Sequence, residues 1–188
     1  MHTLFLLNPA AGKADCTRTL PQQIAAAAAG AGLAPEDYTI RVTTHAGHAR
    51  ELSRAAAAAA QKAGVELRIF TAGGDGTFNE ALTGAHGFDK TAVGCLPYGS
   101  GNDFLRTYGT KEEFLDLDAQ LAGGGAHDLM RTSLGLSATI CAARSGRTGG
   151  LRHPQVPAHP AVRRRGGLCA VHCPAAVRAY RPQGGVRH

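Results

Sequence analysis

The chain has 188 residues, 44% of them hydrophobic, with 20 Lys and Arg against 14 Asp and Glu for a formal net charge of +6. That length suits one domain or slightly more, and the charge is unevenly spread: residues 144–188 hold nine Arg and no Lys, Asp or Glu, so the preceding body is mildly acidic and a nucleic-acid-binding class is not expected. Five cysteines without a paired framework, no secretory leader and no apolar run near the ~20 residues of a membrane span predict a reducing cytoplasm and free thiols.

In chain order, residues 3–7 (TLFLL) form a continuous apolar run suited to a buried parallel strand. Residues 8–13 (NPAAGK) break it, with Asn8-Pro9 opening a turn and Lys13 adding a cation near its rim. This loop lacks the spacing of a P-loop. A helix follows from Leu20, with Pro21 in its first turn and a stop at residues 30–32. Residues 38–43 alternate as a second strand, and a helix runs from about Ala49 to Ala63, stopped by Gly64. A third strand over residues 65–72 delivers the run 71–80 (TAGGDGTFNE). A short helix is expected from Phe78 to about Thr83, a fourth strand at 92–97, and a second glycine-rich turn at 98–103 (YGSGND). Residues 111–121 read as one amphipathic helix, ended by Gly123-Gly124-Gly125.

This order, βαβαβαβα with short loops, predicts an α/β fold: a mostly parallel, Rossmann-like sheet with flanking helices and a ligand site off the carboxyl ends of the strands. Three glycines in four positions at 73–76 let backbone N–H groups approach a ligand without Cβ interference. At a strand-to-helix junction those groups favour an anion, most often phosphate. Together with the Asn8–Gly12 loop and the Ser100-Gly101-Asn102-Asp103 loop, this suits a nucleoside triphosphate, with carboxylates reaching Mg²⁺ directly or through water. For Asp75 the competing role is an Asx-turn within its own loop, and for Asn102 and Asp103 it is helix capping.

Four segments carry a resemblance: FLLNPAAGK (5–13), TTHAGHA (43–49), GGDGTFNEAL (73–82) and LPYGSGNDFLR (96–106). In that order and spacing, over residues 1 to about 143, the chain resembles the diacylglycerol kinase catalytic domain in its bacterial lipid-kinase form, a group related to sphingosine kinases and more distantly to NAD kinases. The resemblance implies two domains with ATP in the cleft between them, Mg²⁺ as cofactor, and phosphorylation of a lipid hydroxyl, such as that of diacylglycerol, at the inner face of the membrane. By motif match the nucleotide-contacting positions are Asn8, Pro9, Ala10, Ala11, Gly12, Thr43, Gly73, Gly74, Asp75, Gly76, Thr77, Phe78, Asn79, Glu80 and Ser100, with Asn102 and Asp103 as loop support. Ser100 stands where threonine is common and keeps the hydroxyl. The alternatives are an NAD kinase-like enzyme, disfavoured by the PYGSGNDF loop, and a non-catalytic nucleotide- or membrane-binding module. A homodimer is an expectation for the full-length form.

The chain then departs from the family. Residues 1–125 are expected to form the nucleotide-binding domain and 126–143 to begin a β-rich second domain, with a strand over 134–143. Residues 144–188 hold five prolines, an Arg163-Arg164-Arg165 run and no acid, and are expected to be disordered. Codons compatible with this tail, read one register over, encode GLDARVAYGIPKFPRIPLCGG, close to the family's usual continuation. The tail thus reads as out-of-frame text after one extra base near Ala143; the alternative is a natural basic tail that binds anionic lipid. The general base and further Mg²⁺ contacts of the family belong to the second domain, so no catalytic residue is assigned here. Within such a tail the Cys169, His172 and Cys173 set lacks a complete zinc spacing, and the arginines lack the aromatic platform that RNA binding uses.

Overall fold

The computed structural model describes residues 1–13, 15–125, 129–132, 135–138, 178–179 and 181–182. Four parallel strands form its centre: β1 (His2–Leu7), β2 (Tyr38–Val42), β3 (Leu67–Gly73) and β4 (Thr91–Pro97). They lie in the order β2-β1-β3-β4, with Phe5 opposite Ile40 on one side and Phe70 on the other. The helices α1 (Leu20–Gly30), α2 (His48–Ala63) and α3 (Asp75–Ala85) supply the crossovers. The chain therefore winds from β1 outward to β2, then back past β1 to β3, and the strand order reverses between β1 and β3. In open parallel sheets this reversal leaves a crevice at the carboxyl ends of the two strands, where ligands bind.

The apolar runs are continuous because both faces of the sheet are covered. Leu4 and Leu6 face one core with Ile69, Ala57, Leu82 and Phe78, under α2 and α3. Phe5 and Leu7, alternate along the same strand, face the other with Leu20, Ile24, Phe70 and Leu96. The pleat's period of two thus sorts one run into two cores. α2 packs by a face of small residues, with Ala49, Ser53, Ala57 and Ala60 buried, whereas α1 buries Leu20, Ile24 and Ala28 and leaves Ala25, Ala26 and Ala29 exposed.

After β4 come α4 (Asp103–Tyr108), α5 (Lys111–Leu115) and α6 (Leu117–Ala122). The single helix expected over 111–121 is two, broken at Asp116 (φ −72°, ψ 96°). There the Asp116 carboxylate accepts a hydrogen bond from the Ala119 N–H and caps α6. A side chain that satisfies an orphan N–H of a new helix start competes with continuing the old helix. Phe114 is fully buried against Phe104.

The remaining strands are short: β5 (Gly124–Gly125), β6 (Met130–Thr132), β7 (Gly135–Ser137), β8 (Arg178–Ala179) and β9 (Arg181–Pro182). β6 and β7 pair antiparallel, β8 runs parallel beside β4 and β9 antiparallel to β5. Of the strand expected over 134–143, β7 takes residues 135–137, while 134 and 139–143 lie outside the described residues. The same holds for the expected disorder of the tail, apart from β8 and β9, and for Cys141, Cys169 and Cys173. Among the described residues Cys16 and Cys95 are free and buried, and no helix is long and apolar enough to cross a membrane.

Candidate functional site

Four loops meet at the carboxyl ends of the strands, held to one another by backbone and side-chain hydrogen bonds. Asn8, at the end of β1, donates its backbone N–H to Ala72 O of β3 (2.9 Å). Its side chain works in two directions: Oδ1 accepts from the Ala10 N–H (3.0 Å) and Nδ2 donates to Thr77 Oγ1 (2.9 Å). The Asn8 turn is thereby tied to the start of α3, across 69 residues of sequence. Gly73 O accepts from the N–H groups of Tyr98 and Gly99 (3.0 and 2.9 Å), which fixes the β4–α4 loop beside the β3–α3 junction. A Cβ on Gly99 would collide with Gly74 Cα, and one on Gly12, at φ +72°, with Tyr98 O. Close backbone approach is the reason glycine occupies these positions.

The GGDGT run is less of a loop than its glycines imply. Gly74 is extended (φ −101°, ψ −171°) and Asp75 already begins α3, three residues before the expected start, with the Phe78 N–H donating to Gly74 O (3.1 Å). Asp75, Gly76 and Thr77 are therefore the first turn of an eleven-residue helix. Their N–H groups have no partner within the helix, and they stand at the positive end of its dipole. That arrangement favours an anion, and phosphate above others.

The Asp75 carboxylate reaches across to the β4–α4 loop. Its Oδ1 accepts from the Asp103 backbone N–H (2.7 Å), and its Oδ2 fills the space where a Gly101 Cβ would stand. Asn102, left-handed at φ 52°, donates from Nδ2 to Gly99 O (2.6 Å) and makes no side-chain cap to α4. The Asp103 carboxylate pairs with Arg106 at 3.7 Å on the surface. Asn102 and the Asp103 backbone thus support the loop, while Asp75 joins it to α3.

These loops enclose a cavity of about 610 Å³, within the range of small-molecule sites. On its wall stand Asn8, Pro9, Ala10, Ala11, Gly12, Thr43, Gly74, Asp75, Gly76, Thr77, Glu80 and Ser100. Gly73 is buried at the end of β3 and offers its carbonyl to the loop as above. Phe78 lies in the core, 4.9 Å from the Phe104 ring. Phe78 and Asn79 line a second cavity of about 270 Å³, together with Asp75, Asp103 and Ser137. Asp75 therefore stands between the two cavities. Lys13 is exposed and outside the lining of the larger one. The β2–α2 loop adds Thr44, His45, Ala46 and Ala49 to that wall, and the β4–α4 loop adds Gly99 and Gly101. Sequence reasoning singled out Thr43 alone in the first of these loops, although the whole segment belongs to the quoted TTHAGHA motif.

Glu80, on the second turn of α3, accepts from the Gly47 N–H (2.9 Å) and so holds the amino end of α2. Beneath the loops, burial raises the pKa of the Cys95 thiol, and the neighbouring Asp75 charge adds to it. Burial raises Cys16 as well, with Asp15 contributing, and raises the Tyr98 hydroxyl. Thiols held protonated are poor nucleophiles and poor metal ligands. Among the described residues no three His, Cys, Asp or Glu side chains are grouped to hold a metal ion. Two carboxylates stand on the described cavity wall, Asp75 and Glu80, a sparse set that suits a Mg²⁺ that keeps most of its shell as water and phosphate oxygen.

No match was found among curated proteins. The model of the diacylglycerol kinase catalytic domain matches residues 2–132, a span that takes in all four central strands and every loop of the cavity. On that match, the chain belongs to the diacylglycerol kinase catalytic domain family.

Proposed function

We propose that this chain carries the nucleotide-binding half of an ATP-dependent lipid kinase, one that transfers a phosphoryl group from ATP to a lipid hydroxyl such as that of diacylglycerol. The observation that carries this is the amino end of α3, opened by Gly74 and facing the Asn8–Gly12 and Gly99–Gly101 loops across one cavity. The phosphates would lie over the free N–H groups of Asp75, Gly76 and Thr77, with Thr77 oriented by Asn8 and Ser100 adding a hydroxyl. Mg²⁺ would accompany the nucleotide, with Asp75 as its protein carboxylate, neutralising phosphate charge. Asp75 also borders the smaller cavity, so donor and acceptor would sit on its two sides. Membrane contact and the cytoplasmic setting belong to this proposal.

The division of labour follows from composition. Residues 1–125 form the nucleotide-binding unit and 126–143 open a second unit. No Asp or Glu occurs after Asp128, so residues 129–188 supply no carboxylate to take the proton of the attacking hydroxyl. The out-of-frame tail accounts for that lack. Calorimetric titration with Mg·ATP is expected to show binding, and incubation with diacylglycerol in mixed vesicles no phosphorylated lipid. Absence of nucleotide binding would sink the nucleotide assignment; clear lipid phosphorylation would sink the division of labour. Sequencing the encoding DNA past codon 143 decides the tail, since an open second frame for a β-rich domain is expected there.

A further inference from the structure

We infer that His45 is the stacking platform for the nucleobase, a residue that positions the base and sets selectivity for nucleotide over bare polyphosphate. The inference rests on the nucleotide proposal above and extends it to the opposite end of the ligand. Among the described residues lining the larger cavity, His45 carries the sole aromatic ring. A nucleotide whose phosphates sit at the amino end of α3 needs its base to meet something flat or apolar, and the Thr43–Ala46 loop forms that wall.

The ring is fixed in place before any ligand arrives. His45 stacks on His48 with centroids 4.6 Å apart and planes 10° from parallel. Thr44 Oγ1 lies 3.0 Å from His45 Nδ1 and 3.1 Å from His48 Nδ1, and the Thr44 backbone N–H donates to His48 Nδ1 (3.1 Å). His48 is the first residue of α2, whose amino end is itself tied to Glu80 of α3. Thus the helix that would bind the phosphates also anchors the loop that carries the ring. The His45 side chain is 54% exposed, with Glu51 Oε2 3.6 Å from its Nε2. One face is covered by His48, and the exposed remainder can take a base as the next layer of the stack. A ring already immobilised loses little rotamer entropy on binding. Stacking of a base on a side-chain ring is sequence-tolerant, because every base has a π-face. The expected preference is therefore for nucleoside triphosphates in general over tripolyphosphate.

The test titrates the full chain with Mg·ATP and with Mg·tripolyphosphate, in wild type, His45→Ala and His45→Phe. Alanine is expected to weaken ATP about tenfold, the lower part of the range for losing one base stack. Tripolyphosphate affinity should stay unchanged, and phenylalanine, which keeps the ring, should restore ATP affinity to within about threefold of wild type. An alanine variant that weakens both ligands equally, or neither, overturns the inference. So does a wild type that binds ATP no tighter than tripolyphosphate, while the phosphate site stands. A wild type that binds neither overturns the nucleotide proposal and this inference with it.

Discussion

Gly12 shows how narrowly a single position in the crown of loops is determined. It takes φ +72°, and a Cβ there would run into the Tyr98 carbonyl. Gly32 has nearly the same φ, +73°, with nothing near the Cβ position. The two glycines separate conformational cost from steric cost. Alanine at Gly32 meets only the left-handed penalty, about 1 kcal/mol. Alanine at Gly12 meets that penalty and an overpacking cost of about 1–3 kcal/mol, because the object struck is backbone and cannot swing aside. Urea unfolding of the two variants should therefore differ by about 1–3 kcal/mol. Gly12→Ala should also weaken Mg·ATP binding, since it forces apart the loops that line the cavity. Equal losses in stability would show that the Gly12–Tyr98 approach is not what fixes the glycine.

At the scale of elements, α4 is only six residues long and is held by rings. Phe104 lies 4.9 Å from Phe78, 4.7 Å from Tyr108 and 5.8 Å from Phe114, and so joins α3, α4 and α5 beneath the glycine loop at 98–102. Phe104→Ala is expected to cost about 3–5 kcal/mol. Because Phe104 and Phe114 touch, the double alanine variant should cost less than the two singles combined, by about 0.5–3 kcal/mol in a denaturation cycle; strict additivity would mean the rings do not form one cluster. Much of this arrangement was legible in the sequence. β1, β3 and β4 declared themselves as apolar runs and β2 by alternation, Gly64 ended α2 as expected, and the three loops converged on one sheet edge because parallel strands send their carboxyl ends the same way. What was not legible depended on competition between neighbours. A run of Gly74, Asp75 and Gly76 has low helix propensity, yet α3 begins within it, because a helix's first turn makes no demand on its own N–H groups and the packing of Phe78 and Leu82 extends the helix backward. Asp116 splits one amphipathic pattern into two helices by capping the second. His45 reads as an ordinary loop residue until the fold lays it on His48.

At the scale of the molecule, the loops roof over ionisable groups that the folded state keeps neutral. Cys95, Cys16 and Tyr98 all have raised pKa values, each chiefly through burial. Unfolding returns the thiols to water, where they ionise at about 8.5. At neutral pH both states hold these protons and the groups make no pH-dependent difference. As pH rises past that range the unfolded chain releases protons that the folded chain retains, so the unfolded state binds fewer and stability falls. The stabilisation is thus complete below the ordinary thiol range and is lost upward through the raised values. Each group contributes a slope of up to about 1.4 kcal/mol per pH unit. Denaturant unfolding at steps between pH 7 and 10 should show a flat region followed by a decline beginning near 8.5. Cys95→Ala removes one of the titrating groups, so the variant should lose stability at neutral pH yet decline less steeply in alkali. A decline unchanged in Cys95→Ala would mean that the thiol beside Asp75 ionises as readily folded as unfolded, and that the crown over it is open to water.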